Sequence, residues 1–215
     1  MRNGTAEEWF RHFHERVSAS GGLYRLSSPE VAKRKEWTAC MTDIISDACR
    51  DCGLFPAAKA NQERSPFPKE NSEYLSIDVM AFGQKNTWTA PILAIEIENR
   101  SKTSKVAPEL GIEFALWKVL QLSCPFKAVV LKRDSHYEAS KIVKGLEQKV
   151  IQPLRDSCHA FYGETYIGVL LQNSVRKSST EGESKPIDFF WSRLNPDTGN
   201  FENVGVKGYD SETLV

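Results

Sequence analysis

Asp78, Glu96 and Glu98 are the residues of this chain whose type and spacing could do chemistry. The second and third lie in Pro91-Ile-Leu-Ala-Ile-Glu96-Ile-Glu98-Asn99, a segment with the apolar and β-branched content of a strand. Side chains alternate along a strand, so Ile92, Ala94, Glu96 and Glu98 share one face and Leu93, Ile95 and Ile97 the other. The two carboxylates then emerge about 7 Å apart from a strand that otherwise reads as buried. At an effective dielectric of about 20, two charges at that distance repel by about 2 kcal/mol. Asp78 sits in a second such segment, Tyr74-Leu-Ser-Ile-Asp78-Val-Met-Ala-Phe82. Pairing of the two strands would add its charge to the cluster. Three acids together need a cation, a proton or basic partners. A hard divalent metal held by oxygen ligands is the simplest answer.

The elements that must position these acids are legible on either side. Thr5-Ala-Glu-Glu8 has the form of a capping box and opens a helix to about Val17. Gly21-Gly22 breaks the chain. Ser28 caps a longer helix with Pro29 at its first position. Trp37, Met41, Ile44, Ile45, Ala48 and Cys52 follow helical spacing, and Gly53 ends the run. Residues 54–60 suit a short strand and residues 62–72 a loop. The two acidic strands follow, joined by a polar turn at Gly83-Gln-Lys-Asn86, which reads as a hairpin. Beyond them come an amphipathic helix at Pro108–Leu122, a strand at Phe126–Leu131, a helix at Tyr137–Leu154 and a strand at Thr165–Leu171. Residues 173–186 are polar and rich in Ser and Lys. Two last strands, Ile187–Trp191 and Phe201–Val206, flank the turn sequence Asn195-Pro-Asp-Thr-Gly199. This order predicts an α/β fold, a mixed central β-sheet flanked by helices on both faces. We divide the chain into an N-terminal helix (1–27), a core (28–172) and a C-terminal loop and strand pair (173–215) that completes the domain.

Composition narrows the function classes. The chain has 215 residues, 40% of them hydrophobic, enough for one domain with a real core. Its 28 basic and 28 acidic residues give a formal net charge of zero, so any nucleic-acid surface must be a local patch. The first residues carry no signal-peptide core, and no apolar run approaches the roughly 20 residues of a membrane span. The expectation is a cytoplasmic protein with no membrane partner. Five cysteines, an odd number, argue against a disulfide framework. Cys49-Arg-Asp-Cys52 lacks a second CxxC or a His pair, so small core residues suit it better than a zinc or redox site. His12 and His14 stand two apart on a helix and do not face each other, which fits surface or core histidines rather than ligands.

The spacing of Asp78, Glu96 and Glu98, followed by a helix and a strand, resembles the restriction-endonuclease-like, or PD-(D/E)XK, nuclease superfamily. The resemblance covers roughly residues 30–172. A second stretch, Glu96-Ile-Glu-Asn-Arg100, then Glu113-Phe-Ala-Leu-Trp117-Lys118-Val-Leu and Pro125-Phe-Lys-Ala-Val-Val-Leu131, looks like bacterial and phage members of that superfamily. Asp78 looks like the family's metal-binding aspartate and Glu96 like the acid of the (D/E)XK element. Ile77 stands where the family has proline, a change it tolerates. Glu98 would occupy the position of the family lysine, which orients or activates the attacking water. Some restriction enzymes carry an acid there and still cleave DNA. Glu98 could thus be a base or metal ligand, or could mark lost activity.

The resemblance implies a Mg2+-dependent endonuclease acting on DNA, with Mn2+ as the alternative metal. Asp78, Glu96 and the carbonyl of Ile97 would hold the ion. The helix after the acidic strand often offers a polar residue to the site, here Lys118 or Gln121. The competing reading packs Trp117 in the core and lets Lys118 snorkel outward. Asn99 either contacts the site or ends the strand. A fourth acid would come from Glu36, Asp43 or Asp47, each of which also reads as a solvated helix charge. Arg100, Lys102 and Lys105 follow the acidic strand and could hold flanking phosphates, which position nucleic acid without reading sequence. They equally suit an ordinary solvated turn. Two other function classes stay open: a noncatalytic protein keeping the fold for binding or regulation, and a hydrolase of small phosphate esters. The oligomeric state is left open, homodimer included.

Overall fold

The apolar runs pair in chain order. In the computed structural model, residues 5–19, 26, 34–58, 77–84, 89–98, 108–171 and 188–204 are described. Among them seven strands form one mixed sheet, in spatial order β1 to β7. These are β1 (Phe55–Ala58), β2 (Val79–Phe82), β3 (Leu93–Glu98), β4 (Phe126–Arg133), β5 (Glu164–Leu171), β6 (Phe189–Leu194) and β7 (Phe201–Asn203). β3, β4 and β5 run parallel, and their neighbours on both sides are antiparallel. Parallel neighbours need crossovers, which α3 (Pro108–Leu120) and α4 (His136–Leu146) supply. The fold is therefore α/β, a mixed sheet flanked by helices, as the element order predicts.

Each face of the sheet buries its own core. α1 (Thr5–Ser18) and α2 (Arg34–Asp51) cover the face that carries Val79, Ala81, Leu93, Ile95, Ile97, Ala128 and Val130. The centre of that layer is aromatic. Trp9 stacks on Phe13 and meets Trp191 edge-on, while Phe10 contacts Phe126, Tyr166 and Trp191. Gly168, paired with Trp191, makes room for that indole: a Cβ there would lie 2.3 Å from a ring atom. α2 ends in a Schellman motif, because Gly53 adopts φ 71° at no steric cost. Gly53 N–H donates to Arg50 O and Leu54 N–H to Cys49 O, both at 2.9 Å.

α3 and α4 cover the opposite face, over Met80, Phe82, Ala94, Val129, Leu131, Ile167 and Val169. Here two expectations need correction. The helix expected at Tyr137–Leu154 is not one α-helix. α4 stops at Leu146, a π-helical turn spans Glu147–Ile151, and α5 (Gln152–Asp156) follows. Pro153 is the physical reason: it cannot donate to the carbonyl four residues back, and a wider turn relieves its ring. Glu147 in that turn accepts the Phe201 N–H at 2.6 Å, tying the helix layer to β7. The second correction concerns α3. It is not amphipathic, since Leu110, Phe114 and Trp117 are exposed on its outer side. No described helix is long and apolar enough to cross a membrane.

Candidate active site

The acids take their places from the β2–β3 register. Val79 pairs with Ile95 and Met80 with Ala94. Continued one step past its last paired residues, that register sets Asp78 opposite Glu96, and the Asp78 charge is felt by the Glu96 carboxyl. Residues opposite each other in an antiparallel pair share a face, so both acids lie on the α3 side, in line with Met80 and Ala94. Asp78 lies just before the first residue of β2. Its Oδ2 accepts the Ile97 backbone N–H at 2.8 Å. The side chain thus takes over a backbone donor at the point where β2 stops pairing. N–H and C=O of one strand residue face the same neighbour. The Ile97 carbonyl therefore also faces the Asp78 side.

Glu96 is only 6% exposed. Burial pushes its carboxyl pKa up to about 7, and the nearby Asp78 charge adds to the rise. Like-charge repulsion, the cause expected from the sequence, is the second effect here; loss of solvent is the first. One ammonium opposes both. Lys118 Nζ reaches from α3 to Glu96 Oε1 at 2.7 Å and pulls the pKa back down. This is the basic partner that a buried pair of acids requires. Lys118 can reach it because the inner side of α3, Ile112, Ala115, Leu116 and Val119, is buried against the sheet.

Trp117 does not pack in the core. It is 45% exposed, and its ring lies nearly parallel to that of Phe114. Gln121 follows α3 and is exposed. Glu98, half-buried, closes β3 two residues beyond Glu96 on the same face. Glu36 is exposed on α2, and Asp47 pairs with Arg50 on that helix. α2 packs against the face opposite Glu96, so the structure does not bring Glu36, Asp43 and Asp47 beside the acid pair. Asn99, Arg100, Lys102 and Lys105 lie outside the described residues.

Lys127 is a residue that sequence reasoning missed. It is fully buried and pairs with Ala94, on the same face as Glu96. Its ammonium donates to Leu122 O at 3.0 Å, just past the end of α3, and burial lowers its pKa. A cation at a helix C-terminus is favourable. Lys127 thereby anchors the end of the helix that carries Lys118. The signal was a lone lysine inside the apolar run Phe126–Leu131.

Among the described residues, no group of three or more His, Cys, Asp or Glu side chains is arranged to hold a metal ion. Asp78 and Glu96 form a pair of carboxylates, with a strand carbonyl beside them. That donor set is all hard oxygen. It fits Mg2+, which takes one or two carboxylates and keeps several waters. No protein-family model matches the chain, and neither a curated protein nor a solved structure is significantly similar to it.

Proposed function

We propose that this chain is a Mg2+-dependent nuclease that hydrolyses phosphodiester bonds in DNA. The observation that carries the reading is the Asp78–Glu96 pair, two carboxylates opposite each other at the end of the β2–β3 ladder, with Lys118 closing on Glu96. Asp78, Glu96 and the Ile97 carbonyl would hold the ion, Mg2+ or Mn2+. When bound, it supplies an acidified water and neutralises charge on the scissile phosphate. The protein's own groups do the rest. Ile97 N–H fixes the orientation of Asp78. Lys118, released from Glu96, offers its charge to a phosphate oxygen. Glu98 accepts the proton of the attacking water. The new bond joins that water's oxygen to phosphorus, and the P–O bond to the leaving sugar oxygen breaks. Solvent protonates the leaving oxygen.

One observation favours a second reading, a noncatalytic nuclease-fold protein. Lys118 already supplies a cation to Glu96 from within the chain. Isothermal titration and cleavage assays separate the two. A nuclease binds Mg2+ or Mn2+ and cuts single- or double-stranded DNA. Glu98→Lys, which restores the commoner residue, should then stay folded and retain or raise activity. Inactivity of both wild type and Glu98→Lys, on DNA and RNA with either metal, would establish the noncatalytic reading instead.

A further inference from the structure

We infer that the outer face of α3 is a stacking platform for unpaired nucleobases, so that the substrate is a single-stranded or locally unpaired nucleic acid. This inference rests on the nuclease reading for what happens to the strand, and on separate residues for how it is held. Leu110, Phe114 and Trp117 recur at i, i+4 and i+7, one stripe along the helix. They are 55%, 57% and 45% exposed. The Phe114 and Trp117 ring planes are within 14° of parallel, with centroids 5.9 Å apart.

The stripe is continuous with the acid pair. Lys118 Nζ lies 5.3 Å from the Phe114 ring centroid and 2.7 Å from Glu96 Oε1. One side chain therefore joins the flat rings to the acids. A nucleotide has the matching layout, a flat base beside an anionic phosphate. Aromatic side chains that stack successive bases, next to a cation that tracks the backbone, are the usual means of holding single strands. In a duplex the base faces are already occupied by each other.

A second copy of the chain is the competing occupant, and the area argues against it. Large side chains offer roughly 150–250 Å2 each. At the exposures given, the three leave on the order of 300 Å2 open. A stable dimer buries about 800 Å2 per partner. The stripe is too small for that, yet it suits one or two bases.

The test is binding without cleavage. A labelled thymidine oligomer of about 12 nucleotides and an abasic oligomer of equal length are titrated with protein in EDTA, reading fluorescence anisotropy. The platform predicts that wild type binds the thymidine oligomer about tenfold or more tightly than the abasic one. Trp117→Ala and Phe114→Ala should each shrink that preference. A duplex should bind no better than the abasic strand. Equal affinity for both oligomers in wild type overturns the inference. So does a dimer in sedimentation that Trp117→Ala converts to monomer. The two readings fail separately. A base preference without cleavage in Mg2+ or Mn2+ removes the nuclease and keeps the platform. Cleavage without base preference does the reverse.

Discussion

Trp9 and Trp117 sit on helices that cover opposite faces of one sheet, and they are packed in opposite ways. Trp9 is fully buried among Phe10, Phe13, Phe126 and Trp191. Trp117 is exposed and stacks on Phe114. The α1–α2 face spends its aromatic surface on the core. The α3 face holds the acids, a buried lysine and exposed rings. An apolar residue on the first face is there for packing, while one on the outer side of α3 gains nothing from the core and must be explained otherwise.

Breaking the packed face should have the largest effect. Trp9→Ala should cost about 3–5 kcal/mol of stability, read by denaturant unfolding. Any Mg2+ binding should survive under conditions where the variant stays folded. A loss below about 1 kcal/mol would show that the aromatic layer is not what holds α1 on the sheet.

The two faces should also respond to pH with opposite signs. Folded Glu96 keeps its proton to about pH 7, while its ordinary value is 4.5. Between those values the folded state binds more protons, so stability falls as pH rises, by on the order of 3 kcal/mol in total. His14, packed against Phe13, Phe189 and Trp191 on the other face, is lowered by burial from 6.5 to about 4. In that window the unfolded state binds more protons, and stability rises with pH. The two slopes oppose each other in the wild-type chain. Glu96→Gln should leave a rising profile between pH 4 and 6.5, and His14→Phe a falling one between pH 4.5 and 7. Identical profiles in both variants would remove these groups as the source.

Asp78→Ala should act on the site and the sheet together. It removes a carboxylate from the proposed metal pair and an acceptor from Ile97 N–H. Metal binding by titration calorimetry should vanish, with a stability loss of about 1–3 kcal/mol. Unchanged binding would move the metal elsewhere. The smallest effect belongs to the exposed rings. Trp117→Ala should change stability by no more than about 0.5 kcal/mol. A loss like that of Trp9→Ala would mean that the stripe is core after all.

Much of this was readable from the chain. Gly53 announced the end of α2, and the alternation through Ala94, Glu96 and Glu98 gave the face of the acids. Those are local signals, of period and turn chemistry. The register that sets Asp78 opposite Glu96 is a pairing of distant segments. So is the reach of Lys118 across 22 residues of sequence. Trp117 was hard to place for a different reason. α3 is apolar on nearly every side, so its pattern does not say which side faces in. Pro153 was in plain view, but its answer, a widened turn, depends on what the helix packs against.

Asp78 carries one more consequence, for the reading of related sequences. Its side chain does a backbone's job, closing a strand end that would otherwise leave an N–H unmet. Any relative that keeps this strand pairing needs an acceptor at that position, enzyme or not. An aspartate there therefore testifies to architecture, not to a working enzyme. The informative positions are those for which a chemical task is proposed, Glu98 first among them. A set of relatives that holds Asp78 constant while Glu98 drifts freely would speak for the scaffold and against the proposed chemistry.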